Sequence, residues 1–255
     1  MASTDLLKRK LKSLLLSYAH ENIEEMIEKS NANSDSYETF LEGLLQSELN
    51  FREKKKIEIA LKRAAFPVIS TFEDIDIGAM KSLSKKELNQ LKELNWVKQG
   101  FNLIFLGPPG AGKTLISTAL GIHAITNGYK VFFTTMCDLI RLLKTRDMLR
   151  TSQYKIKYIL DCDLVIIDDL MFMAMEKSEG NLFFQLINSL YGQTSVIITS
   201  NKGPADWGEL MGEPAITTAI LDRILHKCEI VDLKEDSWRM SHRASIFANT
   251  TCKNK

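Results

Sequence analysis

Apolar residues recur along this chain at two different periods, and the change between them divides it. Up to about residue 65 the spacing is three to four. Leu6, Leu7, Leu11, Leu14 and Leu15 keep it first, then Phe40, Leu41, Leu44 and Leu45; Gly43 is the one glycine, and there is no proline. The pattern predicts a first helix over this leucine series, a short second one over 21–29, a polar break at 30–36, and one or two more helices over 37–65. Pro67 ends the helical run; 72–77 reads as a connector and 83–96 as a short amphipathic helix. From Phe101 onward, strand-like stretches take over at 101–106, 130–135, 164–167, 195–199 and 228–233, the middle ones near-continuously apolar. Between them lie helix-period stretches at 115–124, 138–160, 180–190 and 215–225. Strands apolar on both faces, alternating with helices, predict an α/β domain with a mostly parallel sheet. The expected division is a small all-helical N-terminal domain over 1–68 and the α/β domain over 69–255, with the boundary between 66 and 72.

The first of those strands runs into Gly107, Pro108, Pro109, Gly110, Ala111, Gly112, Lys113 and Thr114, and Leu115 opens the next helix. This is GxxxxGK[ST] in its required setting of strand, glycine loop and helix. Glycines let successive backbone N–H groups turn inward around a triphosphate, and the helix N-terminus adds partial positive charge. Lys113 is expected on the β- and γ-phosphates and Thr114 on Mg²⁺. The strand at 164–167 ends in Asp168 and Asp169. That places Asp168 beside the phosphate loop as a second Mg²⁺ group, and Asp169 where it can orient or deprotonate the attacking water. The strand at 195–199 leads to Asn201 at the same sheet edge, in reach of the γ-phosphate or the water. ATP and Mg²⁺ are therefore the expected ligands.

A net charge of +1 gives no global field, so any affinity for nucleic acid must come from local patches. Two stretches qualify: Lys54, Lys55 and Lys56 on a helix, and Arg141, Lys144, Arg146 and Arg150 within 138–160, against only Asp138 and Asp147. A solvated helix face is the plainer reading of the first; the single-signed excess of the second suits phosphate contact. Cys137, Cys162, Cys228 and Cys252 lack metal-ligand spacing and read as thiols of a reducing cytosol. The apolar run 14–16 is too short for a signal peptide or membrane span, so no membrane partner is expected and the chain reads as cytoplasmic. Composition and spacing end at an Mg²⁺-dependent NTPase or kinase with basic patches.

Further stretches go beyond that. Leu41-Glu-Gly-Leu-Leu-Gln-Ser-Glu-Leu49, Ala65-Phe-Pro67, Phe72-Glu-Asp-Ile-Asp76, Thr199-Ser-Asn201, Trp207-Gly208, Ala219-Ile-Leu-Asp-Arg223, Leu225-His226 and Ser237-Trp-Arg239 together resemble the IstB helper ATPases of insertion-sequence transposition. That family lies in the DnaA/DnaC-like branch of the AAA+ ATPases. The resemblance implies a P-loop AAA+ domain that assembles as a homo-oligomer on double-stranded DNA, deforms it, and recruits or stimulates an IstA-like transposase. It implies that Asn201 is the sensor-1 residue, that Arg223 is an arginine finger acting on ATP held by a neighbouring subunit, and that Arg239 sits at a sensor-2 position. Two departures stand out. Asp169 occupies a position where AAA+ proteins commonly carry Glu, and Leu190-Tyr-Gly192 replaces an Arg-Tyr-Glu of relatives. A replicative helicase loader of the DnaC/DnaI type shares the core motifs and is the alternative function; a small-molecule kinase lacks support in a lid or acceptor-binding motif.

Overall fold

The computed structural model describes residues 2–75, 82–170, 175–209 and 213–234, and the chain divides into two compact units between Ile59 and Ala60. No helix among the described residues is long and apolar enough to cross a membrane.

The first unit is helical. It holds α1 (Ala2–Ser13), α2 (Ser17–Asn33) and most of α3 (Tyr37–Ala64). Helix α2 is longer at both ends than the expected 21–29, and the predicted polar break shrinks to residues 34–36. At its C-terminus Ser34 turns left-handed (φ 56°), and the N–H of Asp35 reaches back to the Ser30 carbonyl at 3.1 Å. Residues 30–33 thus stay helical despite their polarity. At its N-terminus the cap comes from another helix. Glu48 of α3 accepts the N–H groups of Tyr18 (2.8 Å) and Ala19 (3.2 Å), two donors that the first turn leaves unpaired. Arg52 donates Nε to Glu48 Oε1 at 2.9 Å and Nη2 to the Leu15 carbonyl at 2.7 Å. Below this polar clamp Leu11, Ala19, Ile23 and Leu44 form the unit's core.

Glu48 is only 3% exposed. Burial pushes its pKa up, but the hydrogen bonds from Arg52, Ala19 and Tyr18 outweigh burial and hold the carboxyl below its ordinary 4.5. A depressed acid stabilises the fold fully above its unfolded pKa, and loses that contribution as pH falls through the folded value. Glu48→Gln is therefore expected to cost about 1–2 kcal/mol at pH 7. In thermal unfolding followed by circular dichroism, the gap from wild type should close as pH drops below about 4.5. A gap that stays constant into acid would show that the carboxylate's charge contributes nothing.

In the second unit, α4 (Lys85–Lys92) and α5 (Asn95–Lys98) replace the single helix expected over 83–96. Leu94 takes φ +57° and breaks the run between them, while Ser84 and Glu87 form a capping box that starts α4. Then follow β1 (Asn102–Leu106), α6 (Lys113–Thr126), β2 (Val131–Thr135), α7 (Met136–Lys144), α8 (Arg150–Leu160) and β3 (Leu164–Asp168). The chain continues through α9 (Lys177–Leu190), β4 (Ser195–Ser200), α10 (Pro214–Leu225) and β5 (Cys228–Asp232). The stretch 138–160, expected as one helical run, is two helices. Thr145 stops α7: its hydroxyl donates to the Arg141 carbonyl (2.8 Å) and meets Ser152 Oγ of α8 (2.8 Å), and its carbonyl accepts the Leu149 N–H (2.9 Å).

The sheet order is β2-β3-β4-β1-β5, and every neighbouring pair is parallel. Alternate strand residues serve opposite faces. Ile104, Val165, Ile167, Val196 and Ile198 join residues of α7–α10 in one core. On the other face α6 comes so close that a Cβ on Gly121 would lie 2.7 Å from Ile166 Cδ1 and 2.8 Å from Phe66 Cζ. Phe66, from the Ala65-Phe-Pro67 stretch, thus packs over α6, its ring tilted against that of Phe133 at 5.9 Å between centroids. Among the described residues Cys137, Cys162 and Cys228 are thiols; burial pushes Cys162 and Cys228 up to about 12, so neither is a thiolate at neutral pH. Cys252 lies outside the described residues.

Candidate functional site

In a parallel sheet all strand C-termini share one edge, and order β3-β4-β1 makes neighbours of three segments far apart in sequence. Strand β1 delivers the loop 107–112, β3 delivers Asp168 and Asp169, and β4 between them delivers Thr199 and Asn201. Gly107 has φ +150°, and a Cβ there would lie 2.3 Å from the Leu233 carbonyl oxygen, just past β5. Only glycine fits this crossing. Gly110 and Gly112 both take φ +88°, and Gly112 is the N-cap of α6. The first N–H groups of α6, from Lys113 to Leu115, therefore face the loop's concavity. Pro108 and Pro109 are exposed on the rim, while Ala111 is buried beneath it.

Lys113 is buried, and its Nζ donates to the carbonyls of Gly107 (2.8 Å) and Pro108 (2.9 Å). Thr114 Oγ1 lies 3.0 Å from both carboxylate oxygens of Asp168. Thr199 Oγ1 donates to Asp168 Oδ1 at 2.5 Å and accepts the Asp169 N–H at 2.9 Å. Asp168 is buried, Asp169 and Asn201 are exposed at the same edge. Asp169 has φ +54°. Aspartate tolerates the left-handed region better than most side chains, which is a local reason for the shorter acid here.

A hydroxyl beside a carboxylate is a hard oxygen pair that fits Mg²⁺. Among the described residues no cluster of three or more His, Cys, Asp or Glu side chains is placed to hold a metal by itself. Burial is the largest influence on Asp168 and pushes its pKa up. The Thr199 hydrogen bond opposes this, Asp169 adds to it, and Thr114 and Lys113 oppose it.

The other predicted residues lie elsewhere. Arg223 sits in the last turn of α10, which ends where β1 begins. Asn102, the first residue of β1, donates Nδ2 to the Ile224 carbonyl (2.9 Å) and accepts the Val196 N–H of β4 (2.9 Å). Arg223 is thus a whole strand from the phosphate loop, roughly 16 Å along β1. Its guanidinium donates to Asn188 Oδ1 and the Ala219 carbonyl, each at 2.9 Å, and stacks 4.8 Å above Phe184. Near it, Tyr191 and His226 share a hydrogen bond of 3.0 Å. Trp207 is fully buried and donates to the Lys202 carbonyl, anchoring the segment after β4 in the core.

Lys54, Lys55 and Lys56 are exposed on α3. Arg141 pairs with Asp138, Arg146 with Asp147, and Lys144 with Glu179, whose side chain is 8% exposed; Arg150 is exposed at the start of α8. Arg239 lies outside the described residues, as does the Ser237-Trp-Arg239 stretch. Sequence reasoning missed Asn102, Glu48 and Glu179, which look like ordinary polar residues until their partners are known. It also gave no role to Thr199, although Thr199 lies in a stretch it singled out.

The family model described as IstB-like ATP binding protein matches residues 9–246. The chain belongs to this family. Among IstB-like relatives, an insertion sequence IS21 putative ATP-binding protein of Pseudomonas aeruginosa is 34% identical over 254 residues, 98% of this chain and 95% of that protein. An insertion sequence IS5376 putative ATP-binding protein of Geobacillus stearothermophilus is 32% identical over 218 residues, 86% of this chain and 87% of that one. Among solved structures, AMPPCP-bound DnaA from Aquifex aeolicus matches with a TM-score of 0.55 at 19% identity, covering 69% of this chain and 54% of that chain. DnaI matches with a TM-score of 0.53 at 16% identity, covering 66% of this chain and 89% of that chain. At such identities the shared property is the fold: this IstB-like chain has a P-loop α/β domain with a parallel sheet, and the family it belongs to is described by ATP binding.

An acid whose folded pKa is raised costs stability at any pH where it is charged. Asp168→Asn is expected to raise the melting temperature of the nucleotide-free protein at pH 7 by about 1–4 °C, and to abolish the further rise produced by ATP with Mg²⁺. A melting temperature several degrees below wild type would show that the carboxylate is instead needed for the fold.

Proposed function

We propose that this chain is an ATP-hydrolysing helper of insertion-sequence transposition. It assembles as a homo-oligomer on duplex DNA, hydrolyses ATP at sites completed by a neighbouring copy, and recruits or stimulates an IstA-like transposase. The observation that carries this reading is the separation of Arg223 from Lys113, Thr114, Asp168 and Asp169 across the length of the sheet. A cation at the opposite strand ends cannot reach its own chain's γ-phosphate, whereas a second copy can present it to the phosphate edge of the first. Hydrolysis then depends on assembly, because the charge that builds on the transferring phosphoryl is neutralised only when a neighbour is present.

In the bound state, the backbone N–H groups of 110–115 and the Lys113 ammonium cradle the β- and γ-phosphates. Thr114 and Asp168 would hold Mg²⁺, which would supply charge neutralisation at the phosphates. Asp169 orients the attacking water, Asn201 sits beside it at the end of β4, and Arg239 contributes from the sensor-2 position. The relatives' names, IS21 and IS5376 ATP-binding proteins, support the transposition setting.

The test is ATPase rate against protein concentration with no DNA, duplex DNA or single-stranded DNA, using Lys113→Ala as the blank. A cooperative rise selective for duplex is expected, with Arg223→Ala at least 100-fold slower. Mixing the Arg223→Ala and Lys113→Ala chains should restore part of the activity, since each supplies what the other lacks. A rate linear in protein and indifferent to DNA would sink the proposal. A preference for single strands together with capture of a replicative helicase would move the function to helicase loading.

DNA contact is assigned to the turn between α7 and α8, where Arg146 and Arg150 flank Met148 and Leu149, all four exposed. Arg146→Ala with Arg150→Ala should flatten the dependence of log affinity on log salt by about one to two units without moving the melting temperature. Lys144→Ala should lower the melting temperature by a few degrees, because it strips the partner from buried Glu179. A salt slope unchanged in the double variant removes this turn from the interface.

A further inference from the structure

We propose that Thr199 is a positioning residue of the ATP site, its hydroxyl fixing the Asp168 carboxylate while its two oxygens hold the backbone that carries Asp169. The inference rests on the ATPase reading above and deepens it.

Thr199 is fully buried in β4, in register with Phe105 of β1 on one side and next to the end of β3 on the other. The direction of its bonds follows from elementary chemistry. An ionised carboxylate only accepts, and a hydroxyl has one proton, so that proton goes to Asp168 Oδ1 at 2.5 Å. The same oxygen keeps lone pairs, and one takes the Asp169 N–H at 2.9 Å; the Thr199 carbonyl takes the Leu170 N–H at 3.0 Å. Three consecutive residues, 168 to 170, are therefore tied to a single threonine.

The two acids need opposite things. Asp168 must keep a charged head buried and aimed at the Thr114 hydroxyl. Asp169 must leave the sheet, and does so at φ +54°. The N–H of Asp169 would otherwise be left at a strand end with its ladder interrupted. Thr114 bonds Asp168, and among the described residues Thr199 is the side chain hydrogen-bonded to both positions. A threonine that merely satisfied its own hydroxyl would need only one of these bonds, to any nearby carbonyl.

The experiment compares full-length Thr199→Val, which is nearly isosteric and lacks the hydroxyl, with Thr199→Ser, which keeps it. Affinity for AMPPCP is measured by titration calorimetry with and without Mg²⁺, alongside kcat and KM for ATP. In Thr199→Val, affinity without Mg²⁺ should stay within about twofold, the gain on adding Mg²⁺ should shrink about 5- to 10-fold, and kcat should fall about 10- to 100-fold while KM for ATP with Mg²⁺ rises in step with the weakened binding. Thr199→Ser should lie within about threefold of wild type throughout. The proposal is overturned if Val and Ser behave alike, or if Val weakens binding equally with and without Mg²⁺. Should Thr199→Val melt far below wild type, Thr199→Ala read against Thr199→Ser isolates the hydroxyl in the same way. Wild type no faster than Lys113→Ala would overturn the ATPase reading, while the Mg²⁺-dependent binding would still decide the role of Thr199.

Discussion

The carboxylate of Asp168 is charge placed where the fold least welcomes it, at the end of a fully buried strand, 5% exposed. Burying an ionised group is costly unless hydrogen bonds replace its water. Here the replacements are two hydroxyls, Thr114 from the start of α6 and Thr199 from β4. Neither is near Asp168 in sequence. Both arrive because the strand order puts β4 beside β3 and β1 beside β4, so the phosphate loop and both acids share an edge. Much of the rest serves this placement. Gly121 lets α6 lie close against Ile166 of β3, and the passage of the chain after β5 over Gly107 shapes the start of the loop.

The legible part of the sequence was the part in which local chemistry and fold agree. The phosphate loop could be read because each glycine has a backbone reason and each following residue a ligand reason. The strands could be read because a parallel sheet buries both faces, leaving uninterrupted apolar runs at 164–167 and 195–199. Helix boundaries were harder where the stop is a side-chain bond between distant residues. Thr145 ends α7 by bonding back to Arg141 and across to Ser152, and nothing in the run from 138 to 160 marks it more than any other threonine. The N-terminus of α2 has no cap in its own sequence because the cap is Glu48, some thirty residues later.

The same limit applies to function. Charge counting singled out Arg141, Lys144, Arg146 and Arg150 as a set, yet the structure separates them. Lys144 neutralises a buried glutamate, Arg141 and Arg146 pair with exposed aspartates, and Arg150 stands at the head of α8. A single-signed excess in sequence is a sum over local roles, and the folded arrangement separates them. Arg223 shows the converse. Its position in α10 says little alone, but Asn102 ties the end of that helix to the start of β1 and so fixes the distance between this cation and the phosphate loop.

Lys113 adds a last consequence. Its ammonium donates to the carbonyls of Gly107 and Pro108, so the cation expected on the phosphates is also a strut of the loop's own backbone. An incoming nucleotide competes with the loop's own backbone for this charge, and two carbonyl partners are exchanged for phosphate oxygens. The measured affinity is the difference between those two states of the same side chain. Removing Lys113 therefore takes away a brace of the loop along with a ligand for the phosphates.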